Sequence, residues 1–170
     1  MTLAFVFPGQ GSQSVGMMAT YGEAAVVRDT LSEASDALGM DLAKMMADGP
    51  AEALNQTVNT QPAMLAAGVA VYRLWLAGGG TAPVLMAGHS LGEYTALTCA
   101  GAIGFADAIR LVRLRAEAMQ SAVPEGVGAM AAVLGLDDDT IRAVCAEASQ
   151  GEVLEAVNYN SPGQVVIAGN

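Results

Sequence analysis

The stretch that decides the fold is APVLMAGHSLGEYTALTCAGAI, Ala82–Ile103. Its first part is a short apolar run, as expected of a parallel strand buried on both faces. Its last part is rich in small residues with helical character. Between them lies Gly88-His89-Ser90-Leu91-Gly92. A serine flanked by glycines, with a strand before it and a helix after it, has the layout of a nucleophile elbow. The turn is tight, so the flanking side chains must be small. The following helix aims its first amides, notably that of Leu91, at the serine, where they can hold the negative oxygen of a tetrahedral intermediate. A glycine-rich helix start without any chemistry would read the same way.

A serine nucleophile needs a base within hydrogen-bond reach. The chain holds one histidine, His89, the serine's immediate neighbour. Adjacent residues at a strand end point in opposite directions. The His89 ring is therefore expected to face away from the Ser90 hydroxyl and to support the turn from beneath. The base is then expected to lie outside these residues.

Working outward, LAFVFPG at the N-terminus reads as a second buried strand, and the polar loop GQGSQSVGM follows it. Helical spacing runs from about Tyr21 to Leu38. MDLAKMMADG is a short helix, and GPAEALNQT starts another, with Pro50 and Glu52 suited to a first turn. The strongest helix opens at Thr60-Gln61-Pro62 and stops at Gly78-Gly79-Gly80. GFADAIRLVRLRAEAMQSAVP is a further helix, closed by Pro124. From Gly126 the character changes to strand, acidic-capped helix, and two strands joined at Asn160-Ser161-Pro162-Gly163, a β-α-β-β order with antiparallel turn chemistry. The expectation is an α/β unit with a parallel sheet over 1–125 and a small α+β unit over 126–170. The last apolar strand still needs neighbours to bury it, so the chain is expected to be part of a longer domain.

Composition bounds the function. Net charge is −10 and the pI near 4.2, which argues against a nucleic-acid surface or an anionic membrane face. Hydrophobic residues make up 53% and aromatics only 5%. Small aliphatics and the ten methionines must therefore fill the core, and the methionines read as packing rather than metal ligands. Cys99 and Cys145 read as buried free thiols; no zinc or disulfide pattern is present. The N-terminus lacks the pattern of a signal peptide, and no apolar run is long enough to span a membrane. A cytoplasmic protein is expected, with no metal and no bound cofactor.

FVFPGQGSQ, TQPA, AGHSLGEYTAL, RLVRLRAEAMQ and NYNSPGQVVIAG together resemble the bacterial malonyl-CoA:acyl carrier protein transacylases and the acyltransferase domains of polyketide synthases. The matches are in order and correspond to about the first half of that family's domain. The resemblance implies an α/β-hydrolase-like large subdomain with an inserted ferredoxin-like small one. It also implies a malonyl transferase of fatty acid synthesis. Malonyl-CoA would acylate Ser90, and the phosphopantetheine thiol of acyl carrier protein would then take the acyl group. Gln10, whose side-chain amide is a neutral donor, and the Leu91 amide would form the oxyanion hole. Arg115 would pair with the malonyl carboxylate, a task that suits a planar guanidinium. Asn160 and Gln61 would border the substrate. The base histidine would come from the C-terminal half of the family's domain, outside these residues.

Plainer readings stand beside these. Arg110, Arg113 and Arg115 share one helical segment and could all be solvated charges. Arg113 departs from the family's usual residue and receives no role. Asn160 could make an Asx turn before Pro162, and Gln61 could cap its helix. Two other functions share the elbow. One is a serine thioesterase or esterase, which has no use for an inward arginine. The other is a half-domain that performs no chemistry.

Overall fold

The computed structural model describes residues 2–123 and 126–170. Pro124, expected to close the last helix of the first unit, lies outside the described residues, as does Glu125 at the expected unit boundary. The chain forms two compact units, Met1–Gln120 and Ser121–Asn170.

In the first unit, β1 (Ala4–Phe7) pairs in parallel with β2 (Leu85–Gly88), in register from Ala4 opposite Leu85 to Phe7 opposite Gly88. Between them run α1 (Ala25–Leu38), α2 (Leu42–Asp48), α3 (Ala51–Leu54) and α4 (Thr57–Ala77). After β2 come α5 (Leu91–Cys99) and α6 (Phe105–Ala122). Helix α1 ends on Gly39, in the left-handed region at φ 65°. Asp41 caps α2 by accepting the Lys44 N–H at 2.9 Å.

Helix α4 is the core of the unit. Nearly every residue from Asn59 to Tyr72 is buried, so its apolar character runs round the whole cylinder, as a central helix requires. Leu65, Val69 and Ala70 pack in one cluster with Leu31 and Val27 of α1, Leu91 of α5, and Ile109 and Val112 of α6. The helix starts earlier than the sequence reading places it, at Thr57 rather than Thr60, and Pro62 lies inside it. Side chains make this possible. Asn59 Nδ2 donates to Ala53 O at 2.9 Å, and Thr60 Oγ1 to Leu54 O at 2.6 Å, bracing the first turn against α3.

The expectation of strands buried on both faces holds for one face only. Phe5 packs edge-on against Tyr72 and Trp75 of α4, whereas Val6, on the other face, is 79% exposed and Leu85 65%. Among the described residues, α4 covers one side of these strands.

The second unit is a β-α-β-β element: β3 (Ala129–Leu134), α7 (Asp138–Ala148), β4 (Leu154–Ser161) and β5 (Gln164–Gly169). The antiparallel sheet has the order β3-β5-β4. Asp137 caps α7 through both carboxylate oxygens, accepting the Thr140 N–H at 2.9 Å and hydroxyl at 2.7 Å. The β4–β5 turn is tighter than expected. Ser161 still pairs with Gln164, so the joining residues are Pro162 and Gly163, the latter at φ 73°. Asn160 therefore lies in β4, at a register shift between Tyr159 and Ser161, and not in a turn before Pro162.

No helix among the described residues is long and apolar enough to cross a membrane.

Candidate active site

The parallel pairing of β1 and β2 brings two loops together, because both strands end at the same edge. The Pro8-Gly9-Gln10 loop leaves β1 beside the turn that leaves β2, and the His89 N–H reaches the Phe7 carbonyl at 3.4 Å. A Cβ on Gly92 would stand 2.2 Å from Phe7 O, and one on Gly88 would stand 1.9 Å from the Gly92 carbonyl carbon. No side chain fits at either position. The elbow's glycines are thus required by the close approach of strand, turn and helix.

Ser90 sits at φ 53°, ψ −109°, a left-handed conformation that L-residues avoid. Such backbone stores on the order of 1–3 kcal/mol and concentrates at functional sites. The turn leaves Ser90 exposed while Leu91 is fully buried. The Gly92 and Glu93 amides bond the His89 and Ser90 carbonyls at 2.9 and 3.2 Å. The Leu91 amide belongs to the first helical turn, whose N–H groups have no partner within the helix.

Arg115 reaches the serine from α6. Its Nη2 donates to Ser90 Oγ at 2.9 Å and its Nη1 to Gln61 Oε1 at 2.7 Å. Its guanidinium carbon lies 5.6 Å from the Tyr94 ring centre. Gln61 is fully buried, and its Nε2 donates to Gln10 Oε1 at 3.2 Å and to Met119 Sδ at 3.4 Å. The Gln10 Nε2 in turn reaches Thr57 Oγ1 at 3.4 Å. One chain of hydrogen bonds thus runs from Ser90 through Arg115 and Gln61 to Gln10 and the start of α4. Ser90, Arg115, Gln61 and Gln10, far apart in sequence, are brought together.

Three features of this arrangement were not read from the sequence. Gln61 lies inside the network with no exposed surface, so it holds other side chains rather than capping α4 or forming an open wall. The Gln10 side chain is engaged at both ends on α4. Thr57, Tyr94 and Met119 also contribute; a Tyr one helical turn beyond the elbow serine is the only sequence signal that could have flagged any of them. Asn160 belongs to the second unit. His89 is exposed, with its ring on the Gly9 side of the turn: a Cβ on Gly9 would lie 3.5 Å from His89 Nδ1.

A rival nucleophile is disfavoured. Burial pushes the Cys99 thiol up to about 12, against the opposing pull of the Arg73 charge. The thiolate is the reactive form, and it is scarce near neutral pH. A cavity of about 860 Å³ between α1 and α2, lined by Arg28, Leu31, Met40 and Met46, is bordered by none of the four network residues. No group of His, Cys, Asp and Glu side chains among the described residues could hold a metal ion.

Residues 4–170 match the acyl transferase domain family. The chain belongs to that family. Among its acyl transferase relatives, the malonyl CoA-acyl carrier protein transacylase of Escherichia coli (strain K12) is 61% identical over 98% of this chain, which spans 54% of that protein. The crystal structure of an acyl-carrier-protein S-malonyltransferase from Burkholderia pseudomallei 1710b is 68% identical, with a TM-score of 0.95, over 100% of this chain and 55% of that one. A chain of the solved complex of a type II polyketide synthase acyl-carrier protein with its malonyl-transacylase also matches, at 58% identity and a TM-score of 0.95, over 99% of this chain and 55% of the matched one. The chain thus spans about half the length of the acyl transferases it matches.

Proposed function

We propose that this chain is the nucleophile-bearing part of an enzyme that moves a malonyl group from malonyl-CoA to the phosphopantetheine thiol of acyl carrier protein. The observation that carries this reading is the arginine aimed at the elbow serine: Arg115 Nη2 on Ser90 Oγ at 2.9 Å, with Nη1 anchored on Gln61. An esterase acting on neutral acyl groups has no use for a guanidinium at that point. A transferase of carboxylated acyl groups needs one.

In the proposed reaction Ser90 Oγ attacks the thioester carbonyl. The serine proton passes to a base, the Oγ–C bond forms, the C–S bond breaks, and CoA leaves as the thiol once it is reprotonated. The substrate carboxylate takes Nη2 over from Ser90 Oγ while Nη1 stays on Gln61, so a clamp already held on one side receives the malonyl group. The Leu91 amide and the Gln10 loop stabilise the developing oxyanion. With its side chain engaged on α4, Gln10 contributes through its main-chain N–H. The second half-reaction reverses these steps with the carrier-protein thiol as acceptor.

The base, in this reading, comes from elsewhere: a histidine in the part of the relatives' length that this chain does not span. In this reading residues 1–125 are the start of an α/β-hydrolase-like subdomain, and 126–170 the start of a ferredoxin-like one with Asn160 bordering the substrate. The enzyme works in the cytoplasm on two soluble substrates.

The test uses the complete protein. After incubation with malonyl-CoA and digestion, the mass increment of a malonyl ester should appear on the Ser90 peptide and disappear on addition of the carrier protein. A label on Cys99 or Cys145 instead would sink the assignment. An ester that only hydrolyses, and never passes to the carrier, would identify a thioesterase.

A further inference from the structure

The three arginines of α6 do not behave alike. Among the described residues, Arg110 meets the neighbouring Asp107, at 3.1 Å, with 58% of its side chain exposed. That is how a solvated helix charge looks. Arg113 is 31% exposed and reaches into the start of α4. Its Nη1 donates to Val58 O at 3.2 Å and to Asn59 Oδ1 at 3.1 Å, while its Nε pairs with Glu117 at 2.7 Å.

The Val58 carbonyl is a particular kind of acceptor. In an unbroken helix it would bond the N–H of the residue four positions on. That residue is Pro62, which has no N–H and whose ring crowds the carbonyl. The guanidinium of Arg113 takes the place of the missing donor. Asn59, its second partner, is itself tied to Ala53 O, so Arg113 holds the α3–α4 corner as well. One turn further along α4, and two residues further along α6, Arg115 meets Gln61. Arg113 and Arg115 leave α6 on different faces, yet both side chains reach the first turns of α4.

We infer that Arg113 is a positioning residue: by gripping the carbonyl that Pro62 leaves without its helical donor, it sets α6 against α4 so that Arg115 lies over Ser90. A slip of one residue along a helix is about 1.5 Å, and a misplacement of about 1 Å can lower a rate roughly a hundredfold. This inference rests on the reading of Arg115 as the carboxylate clamp.

The test measures the ratio of malonyl to acetyl transfer, as kcat/KM, in the complete enzyme, together with the melting temperature. Arg113→Met should lower the ratio roughly tenfold, chiefly through a higher KM for malonyl-CoA. In the Arg115→Ala background it should lower the ratio no further, because coupled residues are non-additive. Pro62→Ala restores an N–H that competes for the Val58 carbonyl and removes a poor helix former. It should therefore lower the ratio while the melting temperature holds or rises, which general destabilisation cannot produce. A ratio unchanged in Arg113→Met, unchanged in Pro62→Ala, or reduced additively in the double variant would overturn the inference while leaving the clamp standing. A ratio unchanged in Arg115→Ala would overturn the clamp and this inference together.

Discussion

The two units bury different kinds of side chain. The first hides Thr30, Asn59, Thr60, Gln61 and Thr95 among its apolar residues, and Gln61 and its neighbours serve the network that ends on Ser90. Among the described residues, the core of the second is Ile141, Cys145 and Val165, apolar throughout, while Met130 and Leu134 of its first strand are more than half exposed. Buried polar groups are stable only when every one is bonded, and once bonded they specify a single arrangement. The first unit is organised around such an arrangement. The second is a sheet and helix held by a few apolar contacts, with polar groups kept at the surface.

If chemistry belongs to the first unit, Ser90→Ala should abolish the covalent adduct and cut transfer by at least about 10⁴-fold, as loss of a serine nucleophile does elsewhere. Asn160→Ala, in the second unit, should lower it by less than about tenfold. Equal losses would break the contrast. A stability comparison sharpens it. Leu65 is fully buried in the central helix, and Leu65→Ala should cost about 2–5 kcal/mol in denaturant unfolding. Ile141→Ala should fall at the low end of that range, because a small core collapses more readily. Hydrogen exchange should register each loss in its own unit.

A third comparison sets the clamp against the nucleophile within one unit. Charge-assisted hydrogen bonds contribute about 1.5–3 kcal/mol, so Arg115→Ala should lower malonyl transfer roughly ten- to a hundredfold and acetyl transfer much less. Steady-state kinetics with both acyl-CoA substrates measure this. Equal losses would make Arg115 a fold residue.

The smallest effect concerns acid. The Thr140 N–H, followed by its hydroxyl, holds the Asp137 carboxyl below its ordinary range. A depressed carboxylate contributes stability above its unfolded pKa and loses it as the pH falls through the folded value. Asp137→Ala should therefore loosen α7 at neutral pH, and the difference from wild type should vanish in strong acid. Exchange rates in α7, followed down through the carboxylate range, check the sign. An identical change in the first unit would mean that the two units do not open independently.

Much of this was legible in the sequence. The order of strands and helices, the elbow, the acidic cap and the change of character after α6 follow from apolar spacing and local turn chemistry. What misled was local as well. Pro62 suggested a helix start, yet α4 runs through it, because Asn59 and Thr60 brace the first turn and Arg113 answers the orphaned carbonyl. Asn160 before Ser161-Pro162-Gly163 suggested a turn, yet strand pairing carries β4 on to Ser161. Arg113 looked like a solvated charge because, beside its local partner Glu117, the partners that bury it, Val58 and Asn59, are more than fifty residues away.

The sequence by itself determined a serine on a turn that demands small residues on either side, and this follows from steric properties carried by the serine and its neighbours. The choice of Arg115 among the three arginines of its helix came from the resemblance to the family. Only the tertiary structure decided that Arg115 reaches Ser90, that Gln61 joins it to Gln10, and that Arg113 replaces the donor Pro62 lacks. Those pairings depend on how helices stack and at what register. That is a property of the packed core, which no local stretch of sequence contains.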